Sequence, residues 1–106
     1  MYKLGNEMFP TKTSIIGYLS KCLQSSKIGE SITEDDDTFW VLRDLVYNHP
    51  KGDELIGDGI QNFFVGKPVE WPGRCFYLRR RDGSITDFST KKAINNSCYY
   101  PVGSEL

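Results

Sequence analysis

Residues Arg74 to Ile94 read RCFYLRRRDGSITDFSTKKAI, and this stretch predicts a β-hairpin followed by a short helix. Apolar and polar residues alternate on both sides of Asp82-Gly83, a dipeptide typical of tight hairpin turns. Ser89 stands just before the last segment, where its hydroxyl can cap a helix over Thr90–Asn95. The stretch therefore predicts that the end of the domain mixes sheet and helix.

Two pairing registers are compatible with this hairpin. A two-residue turn would pair Arg80 with Ile85 and would mix charged and apolar groups on one face. A three-residue loop over residues 81–83 pairs Phe76 with Phe88 and keeps the apolar residues together. We predict the second register, because a slip by one residue would exchange the two faces of the strand.

The register also decides how the three consecutive arginines are arranged. In the three-residue loop Arg79 points to the wetter face with Tyr77 and Asp87, and Arg80 lies on the opposite face. The stem of Arg80 can then cover apolar surface near the strand end. We therefore predict that Arg79, Arg80 and Arg81 do not form one flat basic patch.

The amino-terminal half is predicted to be mainly helical. Tyr2 to Phe9 alternates weakly around Gly5-Asn6, which indicates a short strand or a tight hairpin. After Pro10, a threonine cap at Thr11 or Thr13 and an apolar stripe predict a helix to about Ser25. The predicted stripe is Ile15, Ile16, Leu19, Cys22 and Leu23.

A second helix is predicted between an acidic run and a proline. The carboxylates of residues 34–37 follow Thr33 and suit the positive end of a helix dipole. The helix ends by His49, because Pro50 disfavours helical geometry in the residue before it. An imidazolium at His49 would also suit the carboxyl end of the dipole. The predicted inward side chains are Phe39, Leu42, Leu45 and Val46, with Trp40 at the edge.

The fold class predicted from these elements is α+β in a single domain of residues 1–106. Two amino-terminal helices pack on a small antiparallel sheet, and a short carboxyl-terminal helix closes one edge. The predicted strands are Ile60–Val65, Arg74–Arg80 and Ser84–Phe88, with a helical turn over Asp53–Ile56 and a turn at Gly57–Gly59.

Charge is distributed unevenly along the chain, although the formal net charge is only −1. Residues 30–58 hold nine acidic and two basic side chains, whereas residues 67–92 hold seven basic and three acidic ones. Such a polarised chain can be oriented on a polyanion, and its acidic segment can face a basic protein.

The residue types needed for metal or thiol chemistry are sparse. Three cysteines with no close pair and one histidine exclude the usual zinc spacings and a disulfide framework. The consecutive carboxylates Asp35 to Asp37 point in different directions around a helix, unlike a nuclease metal site. We therefore predict no metal, no cofactor and no catalytic residues.

Several motifs together resemble the DCL family, named after a plant protein that affects chloroplasts and leaves and also known as a domain of unknown function. They are HP at His49-Pro50, IGDGI at Ile56–Ile60, and the quoted stretch with RCF, R-x-DG and DFS. The resemblance covers about residues 8–94. This chain departs from the family pattern at Leu55, often a lysine, and at Ala93, often a cysteine.

The resemblance implies a link to RNA. Plant relatives are connected with chloroplast ribosomal-RNA processing, and a similar domain ends the largest subunit of a plant-specific RNA polymerase. The family has no agreed catalytic residues to transfer. The motif positions are expected to be structural: His49, Pro50, Gly57, Gly59, Asp82, Gly83, Asp87, Phe88 and Ser89.

The leading functional prediction is a non-enzymatic accessory domain that binds RNA or another nucleic acid. Arginine and lysine suit phosphate oxygens, and an aromatic ring can stack on an unpaired base. The predicted contacts are Arg74, Arg79, Arg81, Lys91 and Lys92, with Trp71 as a stacking platform. The alternative for any one arginine is a solvated strand face on which Arg79 pairs with Asp87.

A second functional hypothesis is a protein-interaction module, such as an accessory or counter-defence protein of a mobile element. Its acidic face, residues 30–58, would meet a basic partner. No apolar run is long enough to cross a bilayer and no secretory leader opens the chain, which predicts a cytoplasmic protein with no membrane partner.

Overall fold

The computed structural model describes residues 1–69 and 73–97, and the chain begins with a small hairpin. Strands β1 (Tyr2–Leu4) and β2 (Glu7–Phe9) pair antiparallel around Gly5-Asn6. The predicted tight hairpin is therefore confirmed. The amide of Gly5 donates to the Asp44 carboxylate at 2.7 Å, which fastens the hairpin to the second helix.

Four helices are present in the described part of the chain: α1 (Lys12–Ser25), α2 (Asp37–Asn48), α3 (Gly52–Ile56) and α4 (Thr90–Asn95). Each of the longer two begins at a side-chain cap. Thr11 Oγ1 accepts from the Ser14 amide at 3.1 Å, and Asp36 accepts from the Thr38 amide at 2.9 Å. Ser89 Oγ accepts from the Lys92 amide at 3.2 Å, so the predicted cap of α4 is confirmed.

The main sheet has four antiparallel strands in the order β3-β4-β5-β6. They are β3 (Ser31–Ile32), β4 (Ile60–Gly66), β5 (Cys75–Arg80) and β6 (Ile85–Asp87). The three predicted strands are confirmed to within one residue at each end. Strand β3 was not predicted, because two residues are too short to show an alternating pattern.

The β5–β6 hairpin has the predicted three-residue loop. Leu78 pairs with Thr86, and the Arg80 amide donates to the Ser84 carbonyl at 2.8 Å. Gly83 has a φ of 91°, the left-handed conformation that favours glycine. The Asp82 carboxylate accepts from the amide and the hydroxyl of Ser84, and these hydrogen bonds lower the pKa of Asp82.

The hydrophobic core lies between one face of the main sheet and α2. All four predicted inward residues of α2 are buried, and Val41, which was not predicted, is fully buried as well. They pack with the inward side chains of the sheet, Phe63, Val65, Phe76 and Leu78. The prediction failed for Ile16 of α1, whose side chain is 50% exposed.

The helices are arranged differently from the expectation for α4. Its main contacts are with α2 and α1, so it extends the helical layer instead of closing an edge of the sheet. The side-chain amide of Asn96, the residue that ends α4, donates to the Asn48 carbonyl at 2.7 Å. The carboxyl ends of α2 and α4 are therefore joined directly. The α+β class is confirmed, with four helices and small antiparallel sheets in the described residues.

The turn at Gly57–Gly59 is confirmed, and it provides the space for two arginines of the hairpin. Gly57 has a φ of 52° and Gly59 a φ of 116°. A Cβ at Gly57 would lie 2.9 Å from Arg80 Cδ, and one at Gly59 would lie 3.0 Å from Arg81 Cδ. The guanidinium of Arg80 donates to the carbonyls of Leu55 and Glu54 at 2.9 and 3.3 Å, which caps the end of α3.

Replacing Phe76 with alanine should lower the free energy of unfolding by roughly 3–5 kcal/mol, because the side chain is 2% exposed and its loss leaves a cavity. Urea denaturation followed by circular dichroism measures the change. Ile85→Ala on the neighbouring strand is the control, since that side chain is 53% exposed and its loss should cost within about 0.5 kcal/mol. Equal effects of the two changes would contradict the assignment of the core face.

Two glycine-to-alanine changes should have opposite effects on stability. Gly57→Ala introduces a Cβ at positive φ and against Arg80, and should destabilise the fold by at least about 1 kcal/mol. Gly17→Ala lies within α1, where the new Cβ meets no atom within 4 Å beyond its chain neighbours and its own helix backbone, and should stabilise by about 0.5–1 kcal/mol. Thermal melting of both variants tests the pair, and a stabilised Gly57 variant would contradict the role of the turn.

Candidate nucleic-acid interface

The outer face of the main sheet, on the side opposite the core, carries a stack of planar side chains. Because side chains alternate along β5, Phe76 and Leu78 point to the core and Tyr77 and Arg79 point outward. Phe64 of β4 pairs with Tyr77 across the strands, and their rings are parallel within 9° with centroids 5.2 Å apart. The guanidinium carbon of Arg79 lies 5.0 Å from the centroid of the Phe64 ring.

Gly66 allows Tyr77 to lie across the neighbouring strand. A Cβ at Gly66 would overlap Cε2 and Cδ2 of the Tyr77 ring, so no larger residue fits beneath it. The outer stack, as we name it, therefore consists of Tyr77, Phe64 and Arg79 in that order, with the Tyr77 ring lying against Gly66. Tyr77 and Phe64 are each half-buried and present the rest of their surface to solvent.

The sequence indicated Arg79 as a contact and Tyr77 as a ring that can stack on a base, but it did not predict Phe64 or its pairing with Tyr77. The alternation of side chains along β4 would have predicted the outward position of Phe64. Because Phe63 is buried, the next residue of the strand faces outward. The expected pairing of Arg79 with Asp87 is wrong. Among the described residues, the only ion pair within 4.0 Å joins Arg43 and Asp44, and Arg79 lies on the Phe64 ring instead.

Cys75 is next to the outer stack but is not suited to thiol chemistry. Burial raises the pKa of the Cys75 thiol, a hydrogen bond from Tyr77 partly offsets this, and the Asp87 carboxylate adds to it. At neutral pH the side chain is therefore a neutral thiol, which is a poor nucleophile. The outer face presents rings and a guanidinium for stacking, and Cys75 does not give it an activated nucleophile.

Arg74 has a structural function at the end of α1. Its Nη1 donates to the carbonyls of Leu23 and Ser26 at 2.9 and 2.8 Å. These are carbonyls at the carboxyl end of a helix, where a cation also interacts favourably with the dipole. Arg74 thus joins the start of β5 to α1, as Arg80 joins its end to α3.

Arg81 lies away from the outer stack, in a cleft of about 210 Å³ beside α2. The same cleft is lined by Trp40 and Tyr47, whose rings flank the guanidinium of Arg43 at 5.0 and 5.2 Å. Arg79, Arg80 and Arg81 therefore have three separate environments. The prediction that the three arginines form no flat patch is confirmed.

The two lysines of α4 are divided between two grooves. Lys91 and Arg74 line a groove of about 390 Å³ between α1 and α4, whereas Lys92 lines another with His49 and Lys51. Of the five predicted basic contacts, only Arg74 and Lys91 therefore line the same groove. The predicted stacking residue Trp71 lies outside the described residues, so the structure does not place it.

His49 ends α2 as predicted, but not as an imidazolium. Its amide donates to the Val46 carbonyl at 3.1 Å, and its Nδ1 accepts from the Lys51 amide at 3.0 Å. Burial lowers the pKa of His49, and the charges of Lys92 and Lys51 lower it further. The ring is therefore neutral at pH 7, and the expected interaction of a positive ring with the helix dipole is corrected.

The acidic residues before α2 do not form a metal site. Within residues 1–69 and 73–97 no group of three or more histidine, cysteine or acidic side chains is arranged to hold an ion. Asp36 caps α2, and Asp44 holds the Gly5 amide.

Among the helices of residues 1–69 and 73–97, none combines the length and the apolar character that crossing a membrane requires.

The chain belongs to the family described as "Protein of unknown function (DUF3223)", whose profile matches residues 20–94. Relatives named DCL match over much of the same region, which confirms the resemblance to the DCL family. A solution NMR structure of an uncharacterized protein from Rhodospirillum rubrum has a TM-score of 0.75 and 25% identity, over 86% of this chain and 85% of that chain. The mixed fold of helices and sheet is thus shared with a solved structure.

Three curated relatives come from plants. Protein EMBRYO DEFECTIVE 514 of Arabidopsis thaliana is 32% identical over 94 residues, which cover 88% of this chain and 46% of that protein. Protein DCL, chloroplastic, of Solanum lycopersicum is 34% identical over 83 residues, 76% of this chain and 37% of that protein. DNA-directed RNA polymerase V subunit 1 of Arabidopsis thaliana is 36% identical over 69 residues, 64% of this chain and 3% of the subunit.

Two conclusions follow from these relatives. A domain similar to this chain occurs within RNA polymerase subunits, and the chain spans less than half the length of each of these relatives. The prediction of a cytoplasmic protein is wrong on this comparison. The DCL relatives from Solanum lycopersicum and Arabidopsis thaliana are both named chloroplastic, which contradicts that prediction.

Removing the Arg74 side chain should destabilise the domain. Arg74→Ala leaves two helix-end carbonyls without their charged donor and should lower the free energy of unfolding by about 1–3 kcal/mol. Lys91→Ala is the matched control, since it removes one positive charge from the same groove and should change stability by less than about 0.5 kcal/mol. Equal urea midpoints for the two variants would contradict the capping role.

Proposed function

We propose that this chain is a non-enzymatic domain that binds single-stranded RNA or another unpaired nucleic acid on the outer face of its sheet. The observation that carries the proposal is the outer stack of Tyr77, Phe64 and Arg79 on the face opposite the helices. Aromatic rings stack on unpaired bases whatever the base is, because every base has a π-face. Guanidinium planes stack in the same way and also reach phosphate oxygens.

The charge of the chain favours a single-stranded ligand over a duplex. A net charge of −1 gives little non-specific attraction to a dense polyanion, so affinity has to come from stacking more than from phosphate contacts. Bases of a duplex are paired and stacked already and cannot reach a sheet surface. The proposed mode of binding is therefore a short segment of splayed bases that lies across β4 and β5.

Arg79 is the central basic contact in this proposal. Arg81, Lys91 and Lys92 are proposed as peripheral contacts along the path of the strand, and Trp71 as a further stacking residue. Arg74 is assigned to the structure and not to the interface, because its guanidinium holds α1. The occurrence of similar domains in RNA polymerase subunits supports a role beside RNA synthesis or RNA maturation, without a chemical step of its own.

Protein interaction through the acidic segment is a second candidate function. Most of its carboxylates are exposed, namely Glu30, Glu34, Asp35, Asp36, Asp37, Asp53, Glu54 and Asp58. A context within polymerase subunits also suits contacts with other proteins. Affinity capture from the native source, with Glu34→Gln, Asp35→Asn and Asp37→Asn combined as the comparison, tests this candidate. One stoichiometric basic protein that the combined variant loses is the expected result, and equal recovery would exclude it.

Fluorescence anisotropy with a labelled single-stranded RNA, at a series of salt concentrations, tests RNA binding. Arg79→Ala should weaken binding and flatten the slope of log affinity against log salt by about 0.7, the value for one phosphate contact on a single strand. Tyr77→Leu should weaken binding by about 1–3 kcal/mol at every salt concentration and leave that slope unchanged, because stacking is lost without a charge.

Lys21→Ala is the matched control for Arg79→Ala. Lys21 is an exposed cation on α1, whereas the outer stack lies on β4 and β5, and its loss removes the same charge. Circular dichroism of each variant confirms that the fold is retained. Absence of binding at low salt, or equal effects of Arg79→Ala and Lys21→Ala, would remove the support for the outer stack as an RNA contact.

A further inference from the structure

The groove that Lys92 lines with His49 and Lys51 is a cleft of about 340 Å³. It lies between the end of α2, α3, the β5–β6 hairpin and α4. It is separate from the outer stack, since its walls come from the helices and from the ends of the hairpin. Its charged or titratable residues are the cations Lys51, Arg80 and Lys92, the carboxylates Glu54 and Asp87, and His49.

The end of this cleft at His49 is positively charged. The charges of Lys92 and Lys51 act on the ring, and both lower the pKa of His49. The Lys51 amide donates to Nδ1, so the neutral ring carries its proton on Nε2. That N–H is available as a hydrogen-bond donor.

The cations of the cleft differ in how far they are already engaged. Arg80 is held by the carbonyls of Leu55 and Glu54 and by the Ser84 hydroxyl, so it contributes fixed charge to the wall. The ammonium groups of Lys51 and Lys92 have no hydrogen-bond or ion-pair partner in the part of the chain that the structure describes. Two ammonium groups without a partner in the described residues and an imidazole donor therefore line the same cleft.

We propose that this cleft binds a phosphate group between the ammonium groups of Lys51 and Lys92, with the His49 Nε2–H as a third donor. A phosphate has several strong acceptor oxygens that point in different directions, so it can accept from three converging donors. Its negative charge also offsets the mutual repulsion of the two lysines. The inference does not rest on the outer stack, although Lys92 is also a proposed peripheral RNA contact, and the probe for it is inorganic phosphate.

The single histidine of the chain provides a direct test. The pKa of His49 is measured from its imidazole proton signals by NMR, once in chloride and once in phosphate at the same ionic strength. A bound phosphate stabilises the imidazolium, so the pKa should be higher in phosphate than in chloride. Identical pKa values in the two salts would overturn the proposal.

The neighbouring lysines of α4 form a matched pair of variants. Lys92→Ala should raise the His49 pKa in chloride, because a repelling cation is lost, and should reduce the apparent phosphate affinity about fivefold to tenfold. Lys91→Ala removes the same charge from the groove on the other side of α4 and should leave both quantities unchanged. An equal loss of phosphate affinity in both variants would mean that phosphate acts by general electrostatic screening and that the cleft is not a specific site.

Two further samples separate this site from the outer stack and identify the source of the phosphate. Tyr77→Leu should leave the response of His49 to inorganic phosphate unchanged, and loss of that response would contradict the independence of the two sites. A short single-stranded RNA that raises the His49 pKa identifies a backbone phosphate as the occupant. A response to inorganic phosphate alone identifies a small phosphate compound.

Discussion

The alternation of side chains along β5 decides which residues build the core and which reach solvent. Its inward residues, Phe76 and Leu78, complete the core, and its outward residues, Tyr77 and Arg79, belong to the outer stack. A slip of one residue would bury an unpaired guanidinium and expose a phenyl ring, and both changes are costly. The three-residue loop with a left-handed glycine excludes that slip, because it fixes which residues face each other.

Both ends of β5 are also tied to helices by arginine. The guanidiniums of Arg74 and Arg80 donate to carbonyls at the carboxyl ends of α1 and α3, so one strand positions two helices. The glycines of the Gly57–Gly59 turn belong to the same arrangement, because a Cβ there would meet an arginine stem. The IGDGI motif and the run of arginines, which are about twenty residues apart in sequence, therefore form one structural unit.

Local patterns in the sequence predicted the elements and the register, but not the partners of charged side chains. Ser89 as a cap, Pro50 as a stop and Gly83 in the loop each act within a few residues, so short-range rules were sufficient. Arg74 and Leu23 are separated by 51 residues, and a contact at that distance depends on how α1 packs on the sheet. Strand β3 was not predicted, because two residues are too few to show an alternating pattern. The position of α4 was predicted wrongly, because the sequence of a short helix does not indicate which elements it packs against.

The same reasoning explains why a basic run in the sequence does not become a basic patch on the surface. Of the three consecutive arginines, Arg80 is occupied by backbone carbonyls, and Arg81 lies against Gly59 beside α2. Only Arg79 remains on the open sheet face, and there it lies on an aromatic ring. A guanidinium held in this way keeps its donors while its plane is fixed, so less entropy is lost when a ligand arrives. In the proposed function, recognition by this face therefore depends on planar surfaces and a single oriented cation, which suits a flexible strand of unpaired bases better than a rigid polyanion.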